Sequence, residues 1–104
     1  MSVLIDVSIF PTDRGESVSQ YVARCVDIID ESGLPYHLGP MGTTIEGRTA
    51  AEVFAVVEKC LAALQRDCRR VEAMIKLDWR ADRDNQLESK VASVREKLGR
   101  AVKT

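Results

Sequence analysis

The stretch Gly33–Gly47, GLPYHLGPMGTTIEG, constrains the fold of this chain more than any other. Two short β-type runs, Tyr36–Leu38 and Thr43–Glu46, flank Gly39-Pro40-Met41-Gly42. Glycine and proline at that density end a strand and reverse the chain. Helical patterns lie on both sides, so the segment predicts an antiparallel hairpin between two helices.

The outer elements follow from periodicity. Val3, Ile5, Val7 and Ile9 alternate with Leu4, Asp6, Ser8 and Phe10, the period-two signature of a strand with one fully apolar face. Pro11–Gly15 break it, and Ser17 with Gln20 predicts a capping box. Val18, Tyr21, Val22, Cys25, Val26 and Ile29 then carry helical spacing up to a C-cap at Ser32-Gly33. Beyond the hairpin, Thr49 and Glu52 predict a second capping box. Its helix presents Val53, Val56, Val57, Cys60, Leu61 and Leu64 on one stripe. Residues 70–80 alternate again, Val71, Ala73, Ile75, Leu77 and Trp79 opposing a polar set that includes Lys76 and Asp78. A polar loop, Ala81–Asn85, precedes a third helix with a narrow seam of Leu87, Val91, Val94 and Leu98.

The order β-α-β-β-α-β plus a C-terminal helix predicts an α+β, ferredoxin-like sandwich: a four-stranded antiparallel sheet in one domain over residues 1–104. Each long helix has one apolar stripe, so both cover the same sheet face. The other face is mixed, with Leu4, Asp6, Ser8, Phe10, Met74, Lys76 and Asp78, a composition that suits a partner, a ligand or both. The seam of the third helix points equally to a second subunit.

At 104 residues the chain has room for one core. A net charge of −1 gives no electrostatic reason to expect nucleic acid or an anionic membrane as partner. MSVLIDVSIF lacks the basic start of an export signal, and no apolar run is long enough to span a bilayer. The expected location is cytoplasmic. Cys25, Cys60 and Cys68 are odd in number and lack ligand spacing, against a disulfide framework. Cys25 and Cys60 sit on apolar stripes as small hydrophobes. Cys68 lies in the basic turn Arg66-Asp67-Cys68-Arg69-Arg70, which is expected to leave it exposed with a lowered pKa.

Two constellations stand out. The first and last strands are neighbours in this topology, which brings Asp6, Ser8, Lys76 and Asp78 together on the uncovered face. Thr44 and Glu46 join them if the hairpin register holds. That is a polar site with several carboxylates, suited to a cationic or amino-bearing small molecule, with Phe10 placed to stack on a flat one. Glu46, following the turn, is the expected acceptor for an amino group. The alternative is cross-strand pairing of Lys76 with Asp6 or Asp78. His37 has no companion ligand for a metal, and its expected role is structural or solvent-facing. Phosphate-binding, metalloprotease, nucleophile-elbow and RNA-recognition signatures are missing from the sequence.

The opening VLIDVSIFPT, the helix start SVSQYVA, the central GLPYHLGPMGTTIEG and the late IKLDWRADRDNQLESKVASVREKLG together resemble the small thiamine-binding protein family. These are ferredoxin-like proteins related to the hydroxymethylpyrimidine/thiamine-binding proteins. The resemblance implies a subunit that dimerises through its sheet and often assembles into a tetramer. It also implies thiamine or its hydroxymethylpyrimidine precursor as a ligand bound without chemistry, and no cofactor. The candidate ligand contacts are Asp6, Ser8, Phe10, Thr44, Glu46, Lys76 and Asp78. A homo-oligomeric structural or regulatory module without a ligand is the competing expectation. An acylphosphatase-type enzyme comes third, because neither nucleophile nor phosphate cradle is in place.

Overall fold

The computed structural model describes all 104 residues. Strand β1 (Ser2–Pro11) leads to helix α1 (Ser19–Glu31), then β2 (Tyr36–Leu38) and β3 (Thr43–Gly47). Helix α2 (Ala50–Gln65), strand β4 (Val71–Arg80) and helix α3 (Gln86–Leu98) complete the chain. The four strands form one antiparallel sheet in the order β2-β3-β1-β4, the arrangement that the ferredoxin-like pattern predicts.

The core lies on one side of the sheet. Val3, Ile5, Val7 and Ile9 of β1 and Ile45 of β3 meet Tyr21, Cys25 and Ile29 of α1 and Val53, Val56, Cys60 and Leu64 of α2. Burial of these side chains stabilises the sandwich by roughly 25 cal/mol per Å² of apolar surface removed from water. A Cβ on Gly47 would lie 2.7 Å from Cγ1 of Val53, so α2 approaches the end of β3 only because that residue is glycine.

The two predicted caps differ in outcome. Thr49 Oγ1 accepts from the Glu52 N–H at 3.2 Å, while Glu52 Oε1 accepts from the Arg48 N–H at 3.0 Å, one residue before the usual partner. The Ser17–Gln20 box does not form. Helix α1 starts at Ser19 with Val18 at the N-cap and no side-chain cap, because Val18 is drawn against the core.

The turn of residues 66–70 also departs from expectation. Cys68 is buried, and its thiol pKa is raised by that burial and by the adjacent Asp67 carboxylate. The nearby arginines do not make it a reactive thiolate. Strand β4 is the outer strand, and beyond Val71, which packs against the core, the long helices cover little of it. Ile75, Leu77 and Trp79 on its helix side therefore remain exposed.

Candidate ligand-binding site

The sheet face opposite α1 and α2 is built from alternate residues of all four strands. Along β1, Leu4 stands between Glu46 and Asp78, and Asp6 between Thr44 and Lys76; Ser8 then faces Met74, and Phe10 faces Glu72. His37 of β2 is the cross-strand partner of Thr44. Side chains directly opposite in an antiparallel sheet share a face, so Asp6, Ser8, Phe10, Thr44, Glu46, Lys76 and Asp78 all belong to this one.

Helix α3 covers one end of the face. Asn85, in the left-handed conformation (φ 53°), turns the chain so that the first amides of α3 point at the sheet. The Glu46 carboxylate receives them: Oε2 accepts from the Gln86 N–H at 2.7 Å and Oε1 from the Leu87 N–H at 3.1 Å. A carboxylate at that position satisfies two otherwise unpartnered donors and favours the positive end of the helix dipole. Gln86 is itself buried, donating through Nε2 to Ser2 Oγ at 3.1 Å. Lys90, a turn further on, pairs with Asp78. That hydrogen bond holds the Asp78 carboxyl below the usual carboxylate range.

Between α3 and the sheet lies a cleft of about 760 Å³. Leu4, His37 and Thr44 line it from the strands, and Leu87, Lys90, Val91 and Arg95 line it from the helix. Arg95 donates to Thr104 Oγ1 at 3.0 Å, which brings the last residue to the rim. The volume is in the range of small-molecule sites, roughly 300–1,000 Å³.

The candidate residues therefore divide by role. Thr44 lines the cleft, and its Oγ1 donates to Asp6 Oδ1 at 3.2 Å. Asp6 is exposed and makes no ion pair, although Lys76 is its cross-strand neighbour. Glu46 is 5 % exposed and holds α3, which replaces its expected part as the open acceptor. Asp78 takes Lys90 of α3, so the expected pairing of Lys76 with Asp6 or Asp78 does not form. Ser8 and Phe10 border a second, more apolar cleft of about 270 Å³ beneath the Gly39–Gly42 turn.

Sequence reasoning missed His37 and the α3 residues as parts of this cleft. Register could have placed His37, since a two-residue count from the turn sets it opposite Thr44. Nothing in the seam of α3 indicated that its first turns would fold back over the subunit's own sheet. No three His, Cys, Asp or Glu side chains converge as a metal site.

The thiamine-binding protein family model matches residues 5–95. The chain belongs to that family. UPF0045 protein Mb1933 of Mycobacterium bovis is 42% identical over 94 residues, covering 90% of this chain and 92% of the relative. UPF0045 protein MJ1052 of Methanocaldococcus jannaschii is 31% identical over 94 residues, covering 90% and 93%. The crystal structure of hypothetical protein MJ1052 superposes with a TM-score of 0.84 at 30% identity, covering 91% of this chain and 97% of that one. A Thermotoga maritima protein, proposed to act in thiamine biosynthesis or salvage, has a TM-score of 0.79 at 23% identity and covers 91% and 100%. That level of identity establishes the shared fold.

Proposed function

We propose that the protein binds thiamine or its hydroxymethylpyrimidine precursor, without chemistry, in the cleft between α3 and the sheet, in vitamin salvage, transport or sensing. The observation that carries this is the position of Asp6. Its carboxylate is in no ion pair and accepts from the hydroxyl of Thr44, which lines the cleft, while Asp78 on the same face is already paired with Lys90. An aminopyrimidine offers an amino donor to such a carboxylate, and thiazolium offers a cation. Leu4, Leu87 and Val91 supply apolar contacts for a flat ring. Ser8, Phe10 and Lys76 extend the site along the same face, where a longer ligand would meet them. Glu46 and Asp78 contribute by holding α3 in place as the cleft wall.

Titration calorimetry with thiamine and with hydroxymethylpyrimidine is the test. Binding is expected with both or with one. Asp6→Asn should weaken it by about tenfold or more, since a hydrogen bond to a charged group contributes ~1.5–3 kcal/mol. Glu72→Gln, at the opposite end of the face, should leave affinity unchanged. No heat and no thermal stabilisation at millimolar ligand would sink the proposal.

The same proposal includes self-association. Met74 is 72 % exposed on one side of β4 and Trp79 is 54 % exposed on the other, a distribution of apolar surface that suits a second copy of the chain.

A further inference from the structure

Helices α1 and α2 pack against each other on the far side of the sheet from the cleft, and two cysteines meet where they touch. Cys25 and Cys60 are each 2 % exposed. Their contact is reciprocal: Cys25 Sγ lies 4.0 Å from the Cys60 carbonyl oxygen, and Cys60 Sγ lies 3.6 Å from that of Cys25. Each thiol thus reaches across to the other residue's backbone, which requires the two side chains to lie alongside one another. Convergent side chains on closely spaced backbones are what a disulfide needs.

We propose that Cys25 and Cys60 form a reversible dithiol–disulfide site that clamps α1 to α2 when a small two-electron oxidant, such as a hydroperoxide, reaches it. Access comes from one side. Cys25 lines the cleft of about 270 Å³ under the Gly39–Gly42 turn, a space large enough to admit hydrogen peroxide. The thiols also differ in acidity. Their mutual hydrogen bond, reinforced by burial, pushes Cys25 up, whereas the same bond lowers Cys60, so Cys60 is the first to give up its proton. Peroxide meets the Cys25 sulfur at the cleft; an S–O bond forms, the O–O bond breaks, and hydroxide leaves and takes up the thiol proton as water. The Cys60 thiolate then displaces the sulfenic oxygen, which leaves as water with the proton Cys60 gave up. Two thiols lose two electrons and two protons, and one peroxide becomes two waters. Cys68 serves as an internal control, since its thiol contacts the neighbouring Asp67 carboxylate.

The test treats the folded, full-length protein with hydrogen peroxide or diamide, quenches it in acid and alkylates it under denaturing conditions. The count of alkylatable thiols should fall from three to one. Peptide mapping should find the Cys25–Cys60 bridge within one chain, and dithiothreitol should restore all three thiols. The bridged form should also unfold at higher denaturant than the reduced one. Cys68→Ser should leave the bridge intact, and Cys25→Ser should abolish it. Should Cys25→Ser fail to fold, the wild-type map decides the matter alone. Three thiols surviving oxidation, or a bridge that uses Cys68, would overturn the proposal and leave both residues as small core side chains.

Discussion

Glu46 and Asp6 are carboxylates on one sheet face, two strand positions apart in effect, yet their surroundings give them opposite tasks. Glu46 is buried under α3 with both oxygens engaged by main-chain amides, whereas Asp6 is exposed and keeps an oxygen unused. Their amide variants should therefore fail in different ways. Glu46→Gln replaces one acceptor with a donor aimed at an N–H, so it should lower stability in urea by about 1.5–3 kcal/mol, the scale for a hydrogen bond to a charged group. Asp6→Asn should leave the urea midpoint unchanged and act on ligand affinity alone. Equal losses of stability in the two variants would mean that Glu46 does not anchor the helix.

Two further carboxylates contribute to the response to acid, beside Asp78 with Lys90 and Asp82 with Arg80. Hydrogen bonding from the Arg24 guanidinium, at 2.8 and 3.1 Å, holds Asp67 below its ordinary pKa, and the Arg69 and Arg70 amides do the same for Asp13. A depressed folded-state pKa contributes stability that is present above the unfolded value and is lost as pH falls through the folded one. The loss should begin below about pH 4, near the ordinary carboxylate value, and deepen toward lower pH. Asp67→Asn should flatten that acid limb without altering stability between neutral pH and mild acid beyond a constant offset. An acid limb of unchanged steepness would show that Asp67 does not contribute to it.

At the scale of elements, α3 is held mainly through its first two turns. Glu46 grips Gln86 and Leu87, and Asp78 grips Lys90, while Val94 and Leu98 remain exposed. Helices held at one end fray from the other. Hydrogen exchange should find the amides of Gln86 and Leu87 protected and those near Leu98 fast in the monomer. Glu46→Ala should release the whole helix, whereas Thr49→Ala should cost about 1 kcal/mol at α2 and leave α3 untouched. This contrast also explains what the sequence made legible. Strands β1 and β4 alternate strictly, α1 and α2 carry clear stripes, and Gly39-Pro40-Met41-Gly42 marks the hairpin, so local chemistry and global fold agree. The face shared by Asp6, Thr44 and Lys76 followed from period-two geometry. The role of Glu46 did not, because it depends on where a helix forty residues away begins. Ser17 looked like a better cap than Val18 by local preference alone, but packing of Val18 against the core outweighs a cap worth about 1 kcal/mol.

The whole molecule is extended for its length. Its radius of gyration is 15.0 Å, with extents of 46 × 28 × 20 Å, against ~13 Å for a compact domain of about 100 residues. The excess comes with β4, a ten-residue edge strand, and with the far end of α3. An edge of that length exposes a row of backbone donors and acceptors ready to pair with another chain. Natural edges are commonly protected by charge, and the open side of β4 does carry Glu72, Lys76 and Asp78. Its other side presents Ile75, Leu77 and Trp79, an apolar row that would be a liability in an isolated subunit. Pairing β4 with a second copy would satisfy the edge and cover the row in one step. Light scattering should accordingly give a dimer or tetramer rather than an 11.6 kDa monomer at micromolar concentration. Leu77→Lys with Trp79→Lys should shift the equilibrium to monomer, because burying two ammonium groups in that contact costs far more than it gains. Met41→Lys, a still more exposed apolar position at the hairpin turn, should leave the assembly intact. If both substitutions dissociate it, the contact lies elsewhere; if wild type is already monomeric, β4 is a tolerated edge and the exposed row of β4 has no partner of its own kind.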